Sequence, residues 1–125
     1  MDENILIKLC SKAKLDRDKG FQDLELFLST ADIDVISATE QKIADILSQS
    51  NAEWESKHGA LMGAKAIIQT GKAGDDFSNG LIQKALELAD DGEFRVRIAA
   101  GKIWVRMEAN FLQKIHCFLY ISYQK

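Results

Sequence analysis

The first residues that could carry chemistry lie in the stretch ESKHGALMGAKAII, from Glu55 to Ile68. A histidine beside small residues occurs in catalytic and phosphate-binding turns, and His58 stands next to Gly59. The alternative is the packing surface of a helix, where small residues alternate with large apolar ones. The same pattern occurs at two other places in the chain, and this repetition favours the packing surface.

Other candidate sites carry weaker signals. His116 and Cys117 are adjacent, but a zinc site needs about four converging ligands. The segment at residues 71–74, GKAG, lacks both the spacing of a phosphate loop and its Lys-Ser/Thr pair. The two cysteines, Cys10 and Cys117, fit no disulfide framework and indicate free thiols of a reducing compartment. We therefore expect no catalytic residue, no metal and no cofactor.

Bulk composition describes an ordinary globular chain. Its 125 residues are 46% apolar and 28% charged, which predicts a single domain over residues 1–125. A net charge of -3 disfavours nucleic acid and anionic lipid as partners. No apolar run is long enough to cross a bilayer, and the start MDENILIKLC lacks the pattern of a secretory signal. We expect the protein in the cytoplasm, with the nucleus as the alternative.

The elements that must position these residues are predicted to be helices, arranged in units that repeat along the sequence. Proline is absent and strong helix formers occur throughout, so the chain is predicted to be all-α. Residues of matching chemistry recur at intervals of forty, and we call each set of residues spaced in this way a column. The basic column holds Arg17, Lys57 and Arg97; other columns hold Gly20, Ala60 and Ala100, then Phe27, Ile67 and Met107, then Leu6, Ile46 and Leu86.

Each repeat contains two amphipathic helical patterns. The units cover roughly residues 4–30, 34–70 and 75–109. In the third unit, the predicted stripe of the second helix is Phe94, Ile98, Trp104 and Met107. Ser37 and Glu40 have capping-box spacing, and Gly71 is a predicted helix stop. Three such pairs predict a right-handed α-solenoid with a C-terminal capping helix.

The third unit, DDGEFRVRIAAGKIWVRM, resembles the second helix of a HEAT repeat, with its acidic turn, arginine and alanine-rich helix. Asp91 matches the turn, Val96 and Arg97 match the central pair, and Ala99 and Ala100 match the small positions.

The other two units carry the resemblance less completely. In NAEWESKHGALMGAKAII, Lys57 replaces the arginine. In LDRDKGFQDLELFL, Arg17 is present but Gly20 replaces the alanine. The resemblance covers roughly residues 4–109.

The HEAT resemblance implies a non-enzymatic scaffold or adaptor that binds proteins along a surface of the second helices. It also implies the N-terminal part of a larger HEAT-repeat assembly. Arg95, Lys102 and Arg106 are the residues that we expect to contact a partner. The alternative is a HEAT-like nucleic-acid-binding protein or enzyme with a local basic groove.

The basic column has two interpretations. Arg17, Lys57 and Arg97 could form a ladder that grips an acidic peptide. They could instead pair with acidic or carbonyl groups of the turns, such as Asp16 and Asp91, and hold neighbouring repeats in register. We favour the second, structural role.

The C-terminal segment departs from the forty-residue period. Residues 111–120 should match the polar loop at 71–80, yet they read FLQKIHCFLY, with an apolar stripe of Phe111, Leu112, Ile115, Phe118 and Leu119. We predict a terminal helix over residues 110–123 that packs against the second helix of the third pair, at Ile103, Trp104 or Met107. The alternatives are an adhesive helix for a partner and the foreign ending of a shortened solenoid. Self-association through the solenoid ends is a further expectation.

Overall fold

Six α-helices account for most of residues 3–124, the part of the backbone that this computed structural model describes; side chains are described for residues 3–109. That part of the backbone contains no β-strand, so the all-α prediction is confirmed. The helices are α1 (Glu3–Leu9), α2 (Lys14–Leu28), α3 (Ile33–Leu47), α4 (Trp54–Gln69), α5 (Asp75–Leu88) and α6 (Phe94–Gln124).

Local sequence determines where helices begin and end. Asp32 is the N-cap residue of α3: its backbone is extended, and its carboxylate accepts a hydrogen bond from the Val35 N–H at 2.9 Å. Gly71 follows Thr70, the C-cap residue of α4, and has a φ of 73°. Glycine adopts this left-handed conformation without steric cost. The predicted stop at Gly71 is confirmed.

The predicted capping box of Ser37 and Glu40 is wrong, because both residues lie inside α3. Glu40 is buried, and its Oε2 accepts a hydrogen bond from the N–H of Gly74, the N-cap residue of α5, at 2.8 Å. The carboxylate therefore satisfies a backbone donor at the start of another helix. This hydrogen bond ties α3 to α5.

Helices that follow one another pack as pairs: α1 with α2, α3 with α4, and α5 with α6. The second helices of the pairs also contact each other in order, because α4 packs against both α2 and α6. Nine residues of α4 are buried, against three in the described part of α6, so α4 is the central helix. The largest fully buried apolar side chains are Leu9, Leu24, Ile36, Ile43, Leu61, Ile67 and Val96.

Two glycines of α4 allow other helices to come close. A Cβ atom built on Gly59 would collide with the carbonyl oxygen of Leu9, the last residue of α1. A Cβ atom on Gly63 would lie 2.7 Å from the Cδ1 of Ile43, on α3. The prediction that the small residues of this stretch serve helix packing is confirmed.

Helix α6 continues through the C-terminal segment. Its 31 residues give a length of about 46 Å, while α4 and α5, with 16 and 14 residues, measure about 24 and 21 Å. The helical state predicted for residues 110–123 agrees with this, but the predicted break before residue 110 is wrong. The sequence MEANFL at residues 107–112 contains no glycine or proline to end the helix. A segment that continues α6 cannot fold back onto it.

The five apolar side chains of this segment fall outside the described side chains. They are Phe111, Leu112, Ile115, Phe118 and Leu119. The predicted packing of a separate terminal helix against α6, at Ile103, Trp104 or Met107, is wrong because residues 110–124 continue α6.

The buried side of α6 differs from the predicted one. Its buried residues within 94–109 include Val96, Ala100 and Ile103. Three members of the predicted stripe are instead exposed, namely Phe94, Ile98 and Trp104. Apolar residues occur on more than one side of this helix, so periodicity alone could not identify the buried side.

Candidate interaction surface

The basic column contacts the turns that precede the second helices. Arg17 Nη1 donates to the carbonyl oxygens of Ser11 and Lys12, at 2.9 and 3.0 Å. Arg97 Nη1 donates to the carbonyl oxygen of Asp91 at 2.7 Å, so both arginines bind a carbonyl six residues before them. This geometry orders each turn around its own arginine.

Lys57 makes a contact of a different kind, because it joins two repeats. Its Nζ lies 2.9 Å from Asp91 Oδ2, which links α4 to the turn between α5 and α6. The pKa of Asp91 is lowered first by the Glu93 N–H that its carboxylate accepts, and then by Lys57. Asp16, the other acidic partner proposed for this column, accepts a hydrogen bond from the Ser11 hydroxyl. The role of the column as a ladder stays a prediction.

Trp54 is the centre of a cluster in which three second helices meet. The guanidinium carbon of Arg17, on α2, lies 5.0 Å from the centroid of its ring, and that of Arg95, on α6, lies 3.9 Å away. These are cation–π distances. The His58 ring meets Trp54 edge-on, with 6.2 Å between centroids. We call Arg17, Trp54, His58 and Arg95 the Trp54 cluster.

Burial lowers the pKa of His58, and the nearby positive charge of Arg17 lowers it further. The imidazole is therefore neutral near pH 7. No group of three or more His, Cys, Asp or Glu residues is placed to hold a metal ion, as far as the described residues extend. The pair His116 and Cys117 lies outside the described side chains.

Cys10, at the end of α1, is a free thiol that is partly buried. Desolvation raises its pKa, and a hydrogen bond with Ser56 opposes that effect. The thiol is therefore protonated near neutral pH, which makes it a poor nucleophile.

Lys102 and Arg106 lie together on another side of α6. They line an open groove with Ile98, Gly101, Val105 and Ala109, and we call these six residues the α6 groove. Ile98 is 50% exposed and Val105 is 64% exposed. Arg95 was predicted to share a partner surface with Lys102 and Arg106, but it does not line this groove. It contacts Trp54 and donates to Glu93 Oε1 at 2.8 Å.

Two of the six residues of the α6 groove occupy columns that are buried in the preceding repeat. Forty residues before Gly101 and Arg106 stand Leu61 and Ala66 of α4, and both are buried. Gly101 is accessible to solvent and Arg106 is exposed. Two positions that α4 buries are therefore uncovered in α6.

The opposite end of the helix row is charged. Asp23, on α2, pairs with Lys8 Nζ of α1 at 2.9 Å and with Lys19 Nζ at 3.2 Å. Forty residues after Asp23 stands Gly63, which packs against Ile43. We call Lys8, Lys19, Asp23 and the exposed Leu26 the N-terminal face. Because these charged side chains interact favourably with water, this end of the helix row can face solvent.

Sequence reasoning proposed Lys102 and Arg106 as partner contacts, which stays a prediction, and it missed the apolar residues that lie beside them in the groove. Ile98 was assigned to the core stripe, and Val105 was not singled out. The column comparison contains part of the missing signal, because Gly101 replaces the buried Leu61. The change from a large apolar residue to glycine indicates a different environment.

Among the described residues, no helix combines the length and hydropathy that a bilayer-spanning segment requires. Comparisons of the chain with protein-family models, with curated proteins and with solved structures find no match.

Proposed function

We propose that the chain is a HEAT-like, right-handed α-solenoid and acts as a non-enzymatic protein-binding scaffold or adaptor. Two observations support the solenoid: columns of matching residues recur every forty positions, and α4 packs between α2 and α6 as successive repeat units would. The free cysteine Cys10 fits a reducing compartment, the cytoplasm or the nucleus.

The α6 groove carries the functional part of the proposal. It is apolar at Ile98 and Val105, basic at Lys102 and Arg106, and uncovered within the described residues. A terminal repeat that ends in water needs charge on its outer side, which the ion pairs of Asp23 with Lys8 and Lys19 supply beside the exposed Leu26 of the N-terminal face. An apolar outer side is instead typical of a surface that binds another protein.

Affinity purification with the full chain tests the proposal. The wild type is compared with Val105→Asp, which places a charge in the groove, and with Gln69→Asp, an exposed position on α4. We expect a defined set of proteins to be retained by the wild type and Gln69→Asp and lost with Val105→Asp. Identical sets for all three proteins would contradict a binding role for the groove.

A further inference from the structure

The charge of α6 restricts what the groove can bind. Residues 94–109 hold four basic side chains and one acidic side chain, a net charge of +3 in a chain of net -3. Arg95 and Arg97 are engaged with Glu93 and with the Asp91 carbonyl. Lys102 and Arg106 make no ion pair within residues 3–109 and are exposed beside the apolar residues. The groove therefore presents two unpaired positive charges to whatever covers it.

The C-terminal segment at residues 110–124 does not supply the cover. The C-terminal segment continues α6 as one helix, so it cannot return to the groove. A second copy in a symmetric α6-to-α6 contact would bring Lys102 and Arg106 against the same residues of its partner. A head-to-tail contact would bring them to the N-terminal face, where Lys8 and Lys19 surround a single carboxylate. Like charges across an interface are unfavourable in both arrangements.

A helix fits the shape of the groove. Ile98, Gly101 and Val105 are spaced by three and four residues, so they form one stripe along α6. Apart from the backbone of α6 itself, no atom of the described residues lies within 4 Å of the position that a Cβ on Gly101 would take, so another backbone can approach there. Forty residues earlier, the column of Gly101 holds Leu61, which is fully buried in α4. At this position of the stripe, close packing is thus already present one repeat earlier.

Resting on the proposed function, we propose that the α6 groove binds an amphipathic helix of a partner protein whose apolar stripe is flanked by aspartate and glutamate. The apolar stripe covers Ile98 and Val105, Gly101 allows close approach, and the acidic flank pairs with Lys102 and Arg106. Apolar burial supplies affinity in this arrangement, and the ion pairs select the partner and its orientation.

Two synthetic helical peptides of about 18 residues, or about 27 Å, test this inference. Both carry leucines at i, i+3 and i+7; one has flanking glutamates and the other has lysines at the same positions. Binding to the full chain is measured by isothermal titration calorimetry. We expect the glutamate peptide to bind at least about tenfold more tightly than the lysine peptide, with a preference that weakens as salt is added.

The double variant Lys102→Glu/Arg106→Glu should reverse this preference. Its charge-matched control is Lys12→Glu/Lys72→Glu, at two exposed lysines outside the groove, and it should leave the preference unchanged. Val105→Asp should weaken both peptides, and circular dichroism verifies that each variant remains folded. This pattern would support an acidic helix as the occupant.

Other results overturn the inference in distinguishable ways. If the two peptides bind equally and Val105→Asp weakens both, the groove binds helices, but an acidic partner is wrong. If the chain forms a dimer in sedimentation analysis that Val105→Asp abolishes, a second copy is the occupant. If only a DNA duplex binds, and Lys102→Glu/Arg106→Glu abolishes this binding, the protein-binding function is itself wrong. If no probe binds and Val105→Asp leaves the set of purified partners unchanged, the α6 groove is not a binding site. Both the proposed function of the groove and its proposed occupant would then be wrong.

Discussion

The N-terminal face and the α6 groove are the two ends of one row of helices, and they end it differently. At the N-terminal face, Asp23, which pairs with Lys8 and Lys19, stands in the column where α4 has Gly63. At the α6 groove, Gly101 takes the column of buried Leu61 and remains accessible to solvent. One end of the row therefore carries paired charges beside an exposed leucine, and the other carries Lys102 and Arg106 beside the exposed Ile98 and Val105. The difference identifies the end at which a partner is expected.

The largest expected effect contrasts two glycines. Gly59→Ala should lower the free energy of unfolding by about 3 kcal/mol, because the new Cβ collides with the Leu9 carbonyl oxygen and forces α1 and α4 apart. Gly101→Ala in the open groove should instead raise it by about 0.5–1 kcal/mol, because alanine favours a helix more than glycine does. Urea unfolding measures both. Equal effects for the two variants would show that the groove is packed rather than open.

A second contrast concerns the two sides of α6. Ile103 is 3% exposed, and Ile103→Ala should cost about 2–4 kcal/mol through lost burial and a cavity. Val105 is mostly exposed, and Val105→Ala should change the free energy of unfolding by less than about 0.5 kcal/mol. Urea unfolding of the two variants reports which side faces the core. A larger loss for Val105→Ala would restore the buried stripe that the sequence pattern predicted.

Local and repeated features of the fold could be predicted from the sequence. The absence of proline predicted helices, and the small residues around Gly59 predicted close packing, because each depends on residue type alone. The buried side of α6 could not be predicted, since Val96 and Ile98 are both apolar and only their neighbours distinguish them. The continuation of α6 past residue 110 was missed because the forty-residue period places a loop at residues 111–120. The absence of glycine and proline at residues 107–112, which favours a continuous helix, was given less weight. The Trp54 cluster joins residues of three repeats, and no periodicity within one helix indicates such contacts.

Removing the charge of Asp91 or Asp23 should change the free energy of unfolding by a smaller amount. Asp91 pairs with Lys57 of α4, and Asp23 pairs with Lys8 and Lys19 at the N-terminal face. Folding lowers the pKa of Asp91 through the Glu93 N–H and Lys57, and that of Asp23 through its two lysines. A lowered carboxyl pKa contributes stability above the ordinary value of 3.8, and this contribution is lost as pH falls through the lower folded value. Asp91→Asn should cost about 1 kcal/mol at pH 7. Asp23→Asn should cost less, because that pair is more exposed.

The measurement is urea unfolding of wild type and both variants between pH 7 and pH 2. Each variant should differ from the wild type at neutral pH and converge with it below pH 3.8, where the wild-type carboxylates become protonated. A difference that persists unchanged at pH 2 would contradict a charge-dependent role for these residues.

The smallest expected effect is the contribution of His58 to the pH dependence of stability. The pKa of the same histidine also tests whether the Trp54 cluster and the α6 groove are separate sites. Burial is the main cause of its lowered pKa, and the positive charges of Arg17, Arg95 and Lys14 act in the same direction. Asp18 opposes them. Because the folded state binds the proton less well than the unfolded state, stability should decrease as pH falls below the ordinary value of 6.5. This decrease should level off below the folded pKa, and His58→Gln should remove the contribution of this histidine.

The pKa of His58, measured by NMR titration of the full chain, then tests which basic residues of α6 lie near it. Arg95→Gln should raise this pKa toward its ordinary value, because it removes a positive charge that acts on the imidazole. Lys102→Gln removes an equal charge from the same helix but from the groove side, and it should leave the pKa of His58 where it is in the wild type. The assignment of the His58 signal comes from its loss in His58→Gln.

If Lys102→Gln raised the pKa of His58 as much as Arg95→Gln does, Lys102 would lie near the Trp54 cluster. The basic residues of α6 would then form one surface, as the sequence alone predicted, and the separate groove would be wrong.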